Sequence, residues 1–109
     1  MINRNDKLPN IHPGEILKYE FLEPLGLTQA ALADAIQVQP IAISQIVHGK
    51  RSISVDMAMR LGRFFGVSTE FWLNLQRQYD IEEANDHLTD KLSFIKPIDY
   101  SAYTDHASD

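Results

Sequence analysis

Four side chains, at positions 41, 44, 45 and 48, are the first candidates for chemistry in this chain. On a helix, Ile41, Ser44, Gln45 and His48 fall at i, i+3, i+4 and i+7 and share one face. An ordinary exposed face carries Lys and Glu for solubility, whereas this one is small, uncharged and able to hydrogen-bond. Such side chains suit base edges in a major groove: Gln pairs with adenine, Ser with several edges, and Ile touches a thymine methyl. Lys50 and Arg51 follow directly, where a phosphate backbone would pass. A plain helical bundle explains the periodicity equally well, so the face alone leaves both readings open.

Enzymatic chemistry finds little support. The chain has no cysteine, which removes disulfides, thiolate zinc sites and cysteine nucleophiles together. His12, His48, His87 and His106 lack the spacing of metal ligands and read as caps, surface or loop residues. Asp80, Glu82, Glu83 and Asp86 could imitate a carboxylate cluster, but at the end of a helix they read as solvated charge. There is no phosphate-cradling glycine loop and no nucleophile elbow. No catalytic residue, cofactor site or metal site is expected.

Charge decides whether nucleic acid is admissible. The net charge is -5 over 109 residues, yet it is unevenly spread. Residues 80–109 hold eight Asp/Glu against two Lys, while residues 37–63 hold Lys50, Arg51, Arg60 and Arg63 against Asp56 alone. The local field at a docking face outweighs a total dominated by a distant tail. Length and a 44% hydrophobic fraction fit one compact domain. No apolar run approaches the roughly 20 residues that span a bilayer, and "MINRNDKLPN" lacks a signal peptide's apolar segment. A cytoplasmic protein is expected.

The elements that must position these residues are all helical. "HPGEILKYEFLEP" places Pro13 in a first turn and Pro24 at the end, with Ile16, Leu17, Phe21 and Leu22 as its apolar stripe. Thr28 caps a second helix over about 29–36 that buries Leu32, Ala33 and Ile36. Gln37–Val38–Gln39 breaks it, and Pro40 starts a third, which runs to about Val47 and closes at Gly49. In that third helix Ile43, Ile46 and Val47 turn inward. "SISVDMAMRLGRFFG" is a fourth, capped by Ser54, favoured by Asp56 at its positive end and stopped by Gly66, with Met57, Ala58, Leu61, Phe64 and Phe65 inward. "STEFWLNLQRQYDIEEAND" is a fifth, with Phe71, Trp72, Leu75 and Tyr79 on one side. From His87 onward the chain shows no helical period, and Leu92, Phe94, Ile95, Ile98 and Tyr100 read as apolar anchors in an acidic strip.

Helix, tight turn, second helix and basic loop make the geometry of a helix-turn-helix. Gln29 sits where an amide meets a phosphate beside a helix N-terminus. Here "TQAALADAIQVQPIAISQIVHGKR" resembles the helix-turn-helix of the phage-repressor (Cro/cI-like) superfamily. The flanks "IHPGEILKYEFLEPLGLTQ" and "DMAMRLGRFFGVSTEFWLNLQRQYD" look like the HigA/VapI family of antitoxins, over about residues 11–81, with "HPGEIL", "FLEPLGL" and "FWLNLQ" the most distinctive pieces.

The resemblance implies a compact all-α, five-helix domain; it is expected within residues 1–86, and the lost helical period and acidic charge mark residues 87–109 as a mostly irregular extension. It implies a homodimer that represses its own operon on double-stranded, palindromic operator DNA and holds a RelE-like ribonuclease toxin inactive. Carried over by position, Gln29 and Gln39 contact the backbone, Pro40, Ile41, Ser44 and Gln45 face bases, and Lys50 and Arg51 meet phosphate. Phe71, Trp72, Leu75 and Tyr79 form either a dimer interface or plain core, the resemblance favouring the interface. Arg60 and Arg63 read as solvated charges or as a flank of the DNA side. The family's usual turn glycine is Gln37 here, which implies a strained left-handed residue. Its usual Ser/Thr cap is Gln39, a poorer one. A repressor without a toxin and a protein-interaction module with vestigial DNA binding are the alternatives.

Overall fold

The computed structural model describes residues 8–103, and every regular element within them is helical. Helix α1 covers residues 13–25 in three parts: an α turn Pro13–Ile16, a wider π-helical stretch Leu17–Leu22, and a closing turn Glu23–Leu25. His12 starts it: its Nδ1 accepts from the Gly14 N–H at 2.9 Å, and the Glu15 carboxylate accepts from the His12 N–H at 3.0 Å. This reciprocal box satisfies donors that a helix start leaves open. Pro24 does not end the helix as expected. It sits inside the closing turn, and Gly26, at φ 61°, ends it. In an α-helix the proline ring would press on the carbonyl four residues back, and widening the preceding turn relieves that contact.

Helices α2 (Gln29–Ile36), α3 (Pro40–Val47), α4 (Val55–Phe65) and α5 (Thr69–Leu92) follow. Their starts are chemically defined. Thr28 Oγ1 accepts from the Ala31 N–H at 3.0 Å, Ser54 Oγ from Met57 at 3.1 Å, and Ser68 Oγ from Phe71 at 3.0 Å. Gly66, at φ 72°, closes α4.

The core gathers Leu17 and Leu22 of α1, Leu32, Ala33 and Ile36 of α2, Ala42, Ile43 and Ile46 of α3, and Met57, Ala58 and Leu61 of α4. Each large aliphatic side chain so buried contributes about 1.5–3 kcal/mol. Ile53, in the link before α4, and Trp72 of α5 complete it. The Trp72 ring lies 5.0 Å from Phe21, 5.1 Å from Phe71 and 6.2 Å from Phe65.

Three expectations are corrected here. Phe64 turns outward, 43% exposed, and its ring lies edge-on to Phe65. Helix α5 passes the boundary drawn at residue 86 and runs to Leu92. Acidic residues are adequate helix formers, and neither glycine nor proline interrupts residues 80–92. Irregular chain begins only at Ser93, followed by a single 3₁₀ turn, Tyr100–Ala102. Finally, Leu92, Phe94, Ile95, Ile98 and Tyr100 are not anchors on the domain: each is at least half exposed. His106 lies outside the described residues. No helix among those described is long and apolar enough to cross a membrane.

Candidate nucleic-acid interface

Helix α3 divides as its periodicity implies. Ile43 and Ile46 are fully buried and Val47 half-buried, while Ile41 and His48 are exposed and Ser44 and Gln45 half-exposed. Position along the helix is fixed by α1. A Cβ on Gly14 would lie 1.8 Å from the Ile46 carbonyl oxygen, so the two backbones meet where only glycine fits. The sequence reading passed over Gly14, because nothing nearby in the chain signals the contact.

The turn into α3 holds the one non-glycine residue with positive φ among those described, Gln37 at φ 61°. The expected left-handed conformation is therefore present, and Arg60 of α4 supports it. Its Nη1 donates to the carbonyls of Ile36 at 2.8 Å and Gln37 at 3.2 Å, and its Nε pairs with Asp56 at 2.6 Å. Arg60 is thus a clamp on the turn rather than a free solvated charge. Gln39 begins α3 in extended conformation without a side-chain cap bond, as its type implied.

At the other end, His48 folds back and donates from Nδ1 to the Ser44 carbonyl at 2.7 Å. Gly49, at φ 73°, turns the chain outward, so Lys50 and Arg51 stand exposed next to the α3 face. The loop they occupy is pinned from below. Gln76 of α5 is buried; its Oε1 accepts from the Ile53 N–H at 2.7 Å, and its Nε2 donates to Asp80 at 2.9 Å. Gln76 also escaped the sequence reading. A glutamine on an otherwise apolar face was its only signal.

Gln29 is half-exposed at the first position of α2, next to the Thr28 cap, and Gln39 and Pro40 are exposed at the start of α3. Ile41, Ser44 and Gln45 with Lys50 and Arg51 therefore form one surface, with Gln29 at the start of the neighbouring helix. Phe71, Leu75 and Tyr79 are half-buried, whereas Trp72 exposes nothing. The interface reading for Trp72 is corrected: an indole enclosed by Phe21, Phe65 and Phe71 has no surface left to offer a partner. Tyr79 is occupied within the chain, its ring edge-on to His12 at 4.8 Å and its hydroxyl donating to Glu83 at 2.7 Å. That bond raises the Tyr79 pKa and, with the Asn10 amide, lowers that of Glu83. Burial lowers the His12 pKa, against the opposing pull of Glu15 and Asp80.

A short helix, a tight left-handed turn, a second helix seated by α1 and an exposed basic loop define a helix-turn-helix domain. The helix-turn-helix family model matches residues 18–72. Virulence-associated protein I of Dichelobacter nodosus is 48% identical over 79 residues, covering 72% of this chain and 73% of that protein. Antitoxin HigA-1 of Vibrio cholerae is 35% identical over 95 residues, covering 87% and 90%. Among solved structures, the Pseudomonas aeruginosa antitoxin HigA with the higBA promoter superposes with a TM-score of 0.79 at 43% identity, covering 82% of this chain and 98% of that one. The chain belongs to the helix-turn-helix family and, within it, to the HigA/VapI antitoxins, which are regulators and not enzymes.

Proposed function

We propose that this chain is the antitoxin of a type II toxin–antitoxin module. As a cytoplasmic homodimer it binds a palindromic operator, represses its own operon and holds a RelE-like ribonuclease toxin inactive. One observation carries the reading: α3 presents Ile41, Ser44 and Gln45 outward, uncharged, beside the exposed Lys50 and Arg51. In that reading Ser44 and Gln45 meet base edges, Ile41 a thymine methyl, Gln29, Gln39 and the Pro40 turn lie along the strand, and Lys50 and Arg51 neutralise phosphates. The P. aeruginosa HigA solved with its promoter supports operator binding by this chain. The support Arg60 gives Gln37 favours DNA readout over a vestigial site, because the turn that aims α3 is held in place.

The test is a titration against the chain's own promoter and an unrelated duplex at several salt concentrations. Wild type is expected to select the promoter. The double variant Ser44→Glu, Gln45→Glu is expected to lose that selectivity with unchanged far-UV circular dichroism. Full promoter affinity in the double variant would remove α3 from the role of reading helix.

A further inference from the structure

Of the four outward residues of α3, His48 alone has no part in the operator reading. Its place at the helix end is fixed twice. The His48 backbone N–H donates to the Ser44 carbonyl at 3.0 Å, and the ring Nδ1 donates to the same oxygen at 2.7 Å. Behind it the chain closes. The Gly49 N–H donates to Ile46 at 3.0 Å and the Lys50 N–H to Gln45 at 2.8 Å, the pattern that ends a helix at a left-handed glycine. An exposed imidazole is thereby held in one orientation beside the basic loop.

The bond to Ser44 also decides what the other ring nitrogen offers. A carbonyl oxygen only accepts, so the hydrogen of the neutral ring sits on Nδ1 and Nε2 is left as an acceptor. Phosphate oxygens accept too, and the neutral ring has nothing to give them. A proton on Nε2 changes both terms at once. The atom becomes a donor and the ring a cation, the combination that makes strong hydrogen bonds to phosphate. Position selects phosphate over base. A reading helix meets base edges with its N-terminal residues, and His48 lies two turns, about 10 Å, beyond Ile41, where the basic loop departs.

The titratable and charged groups around His48 come from α1 and the loop. His12, Glu15, Lys18 and Tyr19 line one cleft with it, and Lys50 follows two residues on. Glu15, the one carboxylate in that set, already accepts from the His12 N–H. Helix α3 itself carries no charged side chain.

We infer that His48 is a phosphate contact of the operator complex made only by its protonated ring, so that DNA binding takes up a proton at this residue. The contact rests on the operator reading and adds to it a dependence on pH. A complex that binds a proton its free partners lack is strengthened as the pH falls. His12 acts in the opposite direction, because protonating its Nδ1 removes the acceptor for the Gly14 N–H and loosens the seat of α3. Variants at position 48 separate the two.

The promoter titration, run from pH 8.0 to pH 6.0 at fixed ionic strength, tests it. Wild type is expected to bind about threefold more tightly at pH 6.0 for each reading head, as one exposed ion pair contributes. Its salt slope is expected to steepen by about 0.9 per head, one phosphate more. His48→Gln, with unchanged far-UV circular dichroism, is expected to show neither change. His48→Lys, charged throughout, is expected to show the steeper slope at both ends of the range. Calorimetry in buffers of different ionisation enthalpy is expected to count proton uptake in wild type and less in His48→Gln. Binding that weakens toward pH 6.0 in wild type but not in His48→Gln would make Nε2 a base-reading acceptor and overturn the phosphate contact. The same pH dependence in both proteins, or none in either, would remove His48 charge from DNA binding. A wild type that ignores its promoter at every pH would overturn the operator reading and this contact with it, whereas promoter selection without pH dependence would overturn the contact alone.

Discussion

Replacing Gly14 by alanine isolates the contact that seats the reading helix. The added Cβ would lie 1.8 Å from the Ile46 oxygen, 2.6 Å from its carbonyl carbon and 3.0 Å from Val47 Cα. Side-chain Cβ atoms essentially never approach within 3.0 Å, so α1 and α3 must part by more than 1 Å. Both partners are backbone, and no rotamer change can absorb the clash. Overpacking costs about 1–3 kcal/mol in yielding sites, and this rigid one belongs at about 3 kcal/mol. Alanine's better helix propensity returns at most about 1 kcal/mol, and less so close to the helix start. The net loss of about 2–3 kcal/mol lowers the melting temperature by roughly 10–20 °C for a domain of this size. Thermal melts followed at 222 nm read it directly. The sign is decisive: propensity alone predicts a more stable variant, so an unchanged or raised melting temperature would refute the close approach of α1 and α3.

Gln76→Leu keeps the volume but strips the buried Ile53 N–H of its acceptor, which costs about 1–3 kcal/mol; urea midpoints check it, and an unmoved midpoint would show the bond to be expendable. Gln37→Gly removes a left-handed penalty of about 1–2 kcal/mol, partly offset by the freer unfolded chain, so a net gain of about 0.5–1 kcal/mol is expected. A lower midpoint for Gln37→Gly would mean that Arg60 already relieves the strain. His12 gives a pH dependence. Burial holds its folded pKa below 6.5, so between that value and 6.5 the unfolded chain binds a proton the folded chain lacks. Stability from this group is therefore full above pH 6.5 and falls as the pH drops through the window below it. His12→Asn, which keeps a capping oxygen, is expected to flatten the melting temperature between pH 7.5 and 5.5, and an unchanged slope would exclude His12 as the cause.

What the chain states about itself is local. Thr28, Ser54, Gly49 and Gly66 act within one turn of their own position, and each helix start or stop assigned to them is where the structure has it. The period of 3.6 placed Leu32, Ala33, Ile36, Ile43 and Ile46 inside, and set Ile41, Ser44, Gln45 and His48 apart as the outward face. The resemblance added the family, because three motif blocks in order carry more information than any one helix. Local signals failed where none exists. No residue after His87 announces whether the helix stops, and it continued to Leu92 because nothing there opposes it.

The rest was decided by neighbours far along the chain. Gly14 meets Ile46, Arg60 reaches the carbonyls of Ile36 and Gln37, and Gln76 holds Ile53, each across more than twenty residues. Trp72 belongs to the core because Phe21, Phe65 and Phe71 converge on it. A side chain's own type sets which face of a helix it prefers, and that much is readable in advance. Which carbonyl, amide or ring waits at the end of that direction depends on how whole helices cross, and only the packed structure determines it.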